Sequence, residues 1–215
     1  MTRTIDDPGD LRQRLRDGDE QALAESFLRH RERLWGIVHF RLDSRLQGRV
    51  DPEDVLQDAY LNATQRVGHY REDSPASEFL WLRMIVIQTL IDVHRTHLGA
   101  QMRDARREVP MPGRMYPQAT SASLASQLIG HLTSPSQVAM RAELSDQLAQ
   151  AIAQMDSLDQ EILALRNFEE LSNHEAAAIL GIQVNAASMR YVRALKRLQE
   201  ILSRFPGFCE EAHHA

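Results

Sequence analysis

The segment Ser172-Asn173-His174-Glu175-Ala176-Ala177-Ala178-Ile179-Leu180-Gly181-Ile182-Gln183-Val184-Asn185-Ala186-Ala187-Ser188-Met189-Arg190 carries a helix start, a helix stop and a second helix start in close succession. Ser172 followed three residues later by Glu175 has the form of a capping box, placed just before an apolar run. Gly181 ends that helix where the chain must turn sharply, because a left-handed conformation costs glycine little. Asn185 can then cap a final helix reaching about Arg204. Its inward face is Ala187, Tyr191, Ala194/Leu195, Leu198 and Ile201/Leu202. Upstream, Ser157-Leu158-Asp159-Gln160 repeats the capping signal before Ile162, Leu163 and Leu165. Ala177 and Ala187 are small where two helices must cross closely. This is helix-turn-helix spacing.

A twenty-residue final helix extends roughly 30 Å, enough to enter a major groove and meet the backbone on both sides. Asn185, Ser188, Met189, Arg190 and Arg193 occupy its exposed N-terminal positions, and Lys196 and Arg197 lie further along, within reach of phosphate. A basic, solvated helix in a structural bundle is the plainer reading of any one of these features. Paired caps, Gly181, small crossing residues and a basic face together favour DNA.

Helical periodicity dominates the rest of the chain, with no alternating strand pattern. Residues 1–17 are polar and read as a flexible N-terminus. Gln21 to Leu42 carries Leu23, Phe27, Leu34, Ile37 and Val38 at helical spacing. Asp51-Pro52-Glu53-Asp54 opens a second helix, with a good N-cap, proline at the first position and acids at the positive end of the dipole. Residues 68–77 have the composition of an exposed loop. A third long helix runs from about Glu78 to Arg95, with Phe79, Leu82, Ile85/Val86, Leu90 and Val93 inward. Residues 106–137, with Pro110, Pro112, Pro117 and Pro135 among Gly, Ser, Thr and Gln, read as a flexible linker in which Leu124 to Leu132 can form a short helix. The expected fold is therefore all-α: two small helical domains, 18–105 and 138–205, joined by that linker, with a disordered tail at 206–215.

Composition narrows the functional classes. The chain has 215 residues, 43% hydrophobic and 26% charged, and a net charge of −5. That length can bury about two-thirds to three-quarters of the unfolded surface. It holds no apolar run long enough for a membrane span, and its first residues lack the apolar core of a secretory signal. Cys209 is the sole cysteine, so an internal disulfide is excluded and a reducing cytoplasm is expected. The charge is unevenly placed. Arg190, Arg193, Lys196, Arg197 and Arg204 face only Glu200 across the last helix, and Arg83, Arg95, Arg103, Arg106 and Arg107 form a second basic stretch. Asp51, Glu53, Asp54 and Asp58 are acidic without a base between them. Two basic stripes on an acidic chain suggest two polyanion contacts.

Taken together, the two halves resemble bacterial RNA polymerase sigma factors of the extracytoplasmic-function (ECF) group. The run Asp51-Pro52-Glu53-Asp54-Val55-Leu56-Gln57-Asp58-Ala59-Tyr60-Leu61 is similar to that group's acidic region-two signature. Phe79-Leu80-Trp81-Leu82 with Ile85 and Asp92 resembles the start of its promoter-melting helix. Leu180-Gly181-Ile182 through Arg190, Arg193-Ala194 and Leu198 resembles its region-four recognition unit. The resemblance implies that Asp54, Gln57 and Asp58 dock on the coiled-coil clamp of the polymerase β′ subunit, with the β flap as a further contact. It implies that Tyr70, Arg71, Asp73, Ser74, Arg83, His94 and Arg95 hold the minus-ten element open by trapping unpaired bases. It also implies that Asn185, Ser188, Met189, Arg190, Arg193, Lys196 and Arg197 meet the minus-thirty-five element. Many members are held inactive by an anti-sigma factor, though no residue here identifies one. The implied protein is a cytoplasmic, non-enzymatic initiation factor with no cofactor and no metal. Departures from the family pattern, a longer loop before Trp81 and Ile87, Gln88, Gln183, Val184 and Ala187 in place of its usual residues, bear on which promoter is read.

The alternative is a two-domain helix-turn-helix regulator that acts without replacing a sigma factor, usually as a symmetric dimer. An enzyme has little support: there is no Gly-rich phosphate loop and no placed nucleophile set. His94 and His97 with Asp92 lack a second ligand cluster.

Overall fold

The computed structural model describes residues 8–43, 45–70, 78–98, 121–130 and 138–205. Among them the secondary structure is helical apart from an isolated bridge between Gln47 and Val50. The chain divides into two compact units, Met1–Pro117 and Gln118–Ala215.

The first unit begins with α1 (Pro8–Arg16) and α2 (Glu20–Arg41), joined at Gly18, whose φ of 78° is open to glycine at little cost. Asp19 caps α2 by accepting from the backbone N–H of Gln21 at 2.8 Å and Ala22 at 3.3 Å. Residues 8–16 are thus not the loose segment expected from their polarity. Leu11 and Leu15, four residues apart on one face, are buried as α1 packs on α2. Two leucines among charged neighbours are too sparse a pattern to register as periodicity.

Next, α3 (Pro52–Thr64) is capped by Asp51, whose carboxylate accepts from the Glu53 N–H at 2.9 Å, and Pro52 takes the first helical position. Val55, Leu56, Ala59 and Ala63 are buried along it. A 3-10 turn (Val67–His69) touches α1. The last helix of the unit, α4 (Glu78–Leu98), packs on both α2 and α3. It is buried well beyond one stripe, from Phe79, Leu80 and Leu82 through Ile85, Val86, Ile87, Leu90 and Ile91. A helix apolar on more than one face is the centre of its unit. Each such Leu, Ile or Val contributes about 1.5–3 kcal/mol by leaving water.

The second unit opens with α5 (Ser121–Gly130), which packs along α6 (Val138–Ile152). Residues 121–130 therefore belong to a packed helix rather than to a flexible linker: Leu124, Ala125 and Ile129 are buried. The Ser and Gln content that suggests a linker occupies the other faces. Then α7 (Ser157–Leu163) runs into a π-helical turn (Ala164–Phe168), closed by the Glu169 N–H donating to the Ala164 carbonyl at 3.1 Å. The cap of α7 is Asp156, accepting from the Leu158 N–H at 2.8 Å, not Ser157, which lies inside the helix. The unit ends with α8 (Asn173–Leu180) and α9 (Val184–Leu202). The final helix begins ahead of Asn185: Gln183 holds its cap position without a side-chain bond, and Asn185 lies in the first turn. The expected linker residues 106–120 and the tail 206–215 lie outside the described residues.

Candidate nucleic-acid and protein interfaces

The helix-turn-helix of the second unit is built from short-range chemistry. The Ser172 hydroxyl accepts the Glu175 N–H at 3.2 Å while the Glu175 carboxylate accepts the Ser172 N–H at 2.8 Å, a reciprocal capping box. Gly181 closes α8 at φ 64°. Ala176 and Ala177 of α8 and Ala187 and Ala194 of α9 are buried, and these two helices pack on each other, where small side chains permit a close approach. Beyond these local signals, Tyr191 on α9 donates its hydroxyl to Asn167 Oδ1 at 2.8 Å, and the Arg166 guanidinium lies over the Tyr191 ring at 5.2 Å. Arg166 also donates to the Leu171 carbonyl, which ties the π-helical turn to the segment before α8.

The outer side of α9 presents Arg193, Lys196 and Arg197 to solvent, with Asn185 exposed at its start. Met189 is 65% exposed and Val192 64% exposed, so apolar and cationic groups share this surface. Ser188 is half-buried and its hydroxyl donates to the Val184 carbonyl at 3.2 Å. Arg190 is placed differently from the other cations: its Nη1 donates to Asp159 at 2.7 Å and to Asp156 at 3.2 Å. Sequence spacing does not show that tie, because the partners stand on a different helix.

In the first unit the exposed residues Asp54, Gln57 and Asp58 share one face of α3, opposite the buried Val55, Leu56, Ala59 and Ala63. Leu61 continues the same face at the next helical step and is 54% exposed. It was not among the residues singled out by sequence, although its i+3 spacing from Asp58 and i+7 spacing from Asp54 put the signal in plain view. Glu53 is drawn sideways into an ion pair with Arg31 of α2 at 2.5 Å.

The expected minus-ten residues divide three ways. Arg71, Asp73 and Ser74 lie outside the described residues. Arg95 is exposed and pairs with Asp92 at 3.3 Å. Tyr70, Arg83 and His94 are interior, which differs from the open positions expected for DNA contact. Tyr70 packs edge-on against Trp81 at 5.1 Å, and its hydroxyl finds no partner among the described residues. Burial, then the nearby Glu78 charge, pushes that hydroxyl above its ordinary value. Arg83 and His94 are covered because α4 is enclosed by both α2 and α3. His94 Nε2 accepts the Asp43 backbone N–H.

A buried carboxylate organises the start of α4. Glu78 meets Arg12 of α1 at 3.3 Å, and Arg29 and His30 of α2 at 3.7 and 3.5 Å. The His30 imidazole at 3.5 Å, then the hydrogen bond from Arg12, holds Glu78 below the usual carboxylate range against the opposing effect of burial. This cluster fixes the helix that follows residues 71–77 to two earlier helices. Among the described residues no group of three or more His, Cys, Asp or Glu is placed to hold a metal ion, and no helix is long and apolar enough to cross a membrane.

Both units take part in similarities to known proteins. Residues 145–198, which span the helix-turn-helix, match the family described as "Sigma-70, region 4". The chain is 26% identical over 193 residues to the RNA polymerase sigma-H factor of Pseudomonas aeruginosa, covering 89% of this chain and 92% of that protein. It is also 26% identical to the RNA polymerase sigma factor CarQ of Myxococcus xanthus, covering 88% and 94%. In fold it is similar to CnrH in the structure of CnrH in complex with the cytosolic domain of CnrY: the TM-score is 0.50 at 22% identity, over 90% of this chain and 96% of the other.

Proposed function

We infer that this chain is a bacterial RNA polymerase sigma factor of the ECF group, which directs transcription initiation by binding core polymerase and recognising and opening promoter DNA. The observation that carries this reading is the coincidence of the region-four match with a capped helix-turn-helix whose last helix is basic, in a chain aligned with sigma factors over most of its length. A regulator acting without replacing a sigma factor is not favoured, since the alignments take in both units.

The acidic face of α3 is the proposed docking surface for the polymerase β′ clamp, with Asp54, Gln57 and Asp58 opposite its basic residues and Leu61 adding an apolar contact. Carboxylates facing protein explain why an acidic helix belongs in a DNA-binding chain. The proposed minus-thirty-five reader is α9. Met189 and Ser188 stand at its groove-facing end, and Arg193, Lys196 and Arg197 meet phosphate. Residues 71–77 are the proposed site of the unpaired minus-ten bases, with Arg71, Asp73 and Ser74 as contacts and Arg95 on the adjoining helix. Tyr70, Arg83 and His94 are buried and serve the packing of the first unit rather than open contact with DNA. None of these steps is covalent. Sigma factors are not enzymatic in general, and this one acts by binding, in the cytoplasm where core polymerase is found. An anti-sigma factor is a candidate regulator through the family resemblance.

The test is run-off transcription with purified bacterial core polymerase, this protein and fragmented DNA from its own genome. Discrete transcripts that require the protein support the reading. No core binding and no transcripts, together with tight dimeric binding to a palindrome, move the assignment to a regulator.

A further inference from the structure

We propose that Asp156 and Asp159 act as a fixed counter-charge on α9, occupying Arg190 and holding down the affinity of the second unit for arbitrary duplex DNA. The proposal deepens the promoter-recognition reading above and rests on it.

The geometry is specific. Arg190 Nη1 donates to Asp159 Oδ1 at 2.7 Å and to Asp156 Oδ1 at 3.2 Å, reaching from α9 to the first turn of α7. The shorter contact lies in the range of a charge-assisted hydrogen bond. The Arg190 side chain is 28% exposed and that of Asp159 23%, so salt screens this pair less than it would an open surface pair. Asp156 is held in place independently, because the same Oδ1 accepts the Leu158 N–H as the cap of α7. It cannot swing away without uncapping that helix. The two acids also line one cleft with Arg193 and Arg197. Two negative charges, that of Asp156 anchored by its cap and that of Asp159 largely shielded from solvent, therefore sit among three of the guanidinium groups on the basic side of α9.

A duplex of arbitrary sequence offers this surface mainly phosphates, and its affinity comes from cations that release condensed counterions. At Arg190 a phosphate must displace a carboxylate of the same charge and then remain beside it, so the exchange gains little. A matching site adds base-edge contacts from the rest of the helix, which do not depend on that exchange. The acids thus lower arbitrary binding more than specific binding, and Asp159 is a specificity-determining residue that acts through Arg190.

Fluorescence anisotropy of the full chain with a labelled random-sequence duplex, titrated at several salt concentrations, tests this. Asp159→Asn preserves shape and removes the charge. It should bind several-fold more tightly than the parent, with a log–log salt slope steeper by about 0.9, one added phosphate contact. Asp156→Asn should move the same way, since asparagine caps a helix as well as aspartate, and it stands in should Asp159→Asn fail to fold. With Arg190→Ala in the background, Asp159→Asn should no longer steepen the slope. Unchanged or weaker binding in the folded Asn variants overturns the proposal, as does tightening that persists without Arg190. Promoter-directed transcription by the parent protein with core polymerase separates the two readings. Its presence leaves the sigma assignment standing whatever the acids do, and its absence removes the assignment itself.

Discussion

His94 Nε2, near the end of α4, accepts the backbone N–H of Asp43, just beyond α2, at 3.3 Å. An acceptor nitrogen must be unprotonated, so this bond belongs to the neutral imidazole. Burial is the main cause that pushes His94 below its ordinary value of 6.5; Arg45 adds to the depression and Asp43 opposes it. The unfolded chain therefore takes up a proton at a pH where the folded chain does not. Stability is complete above about 6.5 and falls as pH drops from there towards the depressed value. Thermal unfolding of the full chain between about pH 8 and pH 5.5 should show a falling midpoint, and the fall should shrink in His94→Gln. Identical, flat profiles for both proteins contradict this account.

Leu15 is fully buried in α1 although its surroundings in sequence are polar. Leu15→Ala should destabilise the first unit by about 2–5 kcal/mol, the usual range for a core leucine. Leu28→Ala, at an exposed position of α2, should stay within about 0.5 kcal/mol of the parent. Urea unfolding followed by circular dichroism distinguishes the two, and equal midpoints would place α1 outside the core.

The turn between α8 and α9 should respond to single-atom changes. Ser172→Ala removes one half of the capping box and should cost about 1 kcal/mol. Gly181→Ala puts a side chain at φ 64° and should cost about 1–2 kcal/mol. Both are read by thermal unfolding of the full chain, and both should weaken promoter-dependent transcription in proportion to the fraction unfolded.

Asp58 is exposed on α3, so Asp58→Arg should leave stability within about 0.5 kcal/mol of the parent. Reversing its charge should nevertheless abolish co-elution with core polymerase on gel filtration. Retained co-elution would move the docking surface away from this face of α3.

Arg193 and Lys196 are exposed on α9 and serve phosphate in the proposed complex. Alanine at either position should weaken promoter and random duplexes alike and reduce the salt slope by about one. A loss confined to one promoter base would assign that residue to base reading instead.

What could be read from the chain without coordinates was chiefly what neighbours in sequence decide. Ser172 and Glu175 are three residues apart, Gly181 ends its own helix, and Ala177 and Ala187 flank the turn between them. Their meaning survives in any tertiary setting. The α3 face is legible for the same reason, since Asp54, Gln57, Asp58 and Leu61 follow helical spacing. Tyr70, Arg83 and His94 were not, because polar or aromatic type near a basic stretch suggests exposure, whereas Tyr70 packs against Trp81 and two neighbouring helices cover α4. The near-continuous apolar run from Ile85 to Ile91 is the signal that could have revealed it, as a helix with no polar face belongs in an interior.

Helix starts and stops, the short turn before α9 and the split between acidic and basic faces follow from contacts within a few residues, where hydrogen bonding and periodicity act alone. Burial and pairing across helices do not. The cover over Tyr70, the meeting of Glu78 with Arg12, Arg29 and His30, and the hold of Asp156 and Asp159 on Arg190 all arise when helices pack. Packing brings distant side chains within a few ångströms, and at that range desolvation and Coulomb attraction, which spacing along the chain does not encode, decide which charged groups face solvent and which are already engaged.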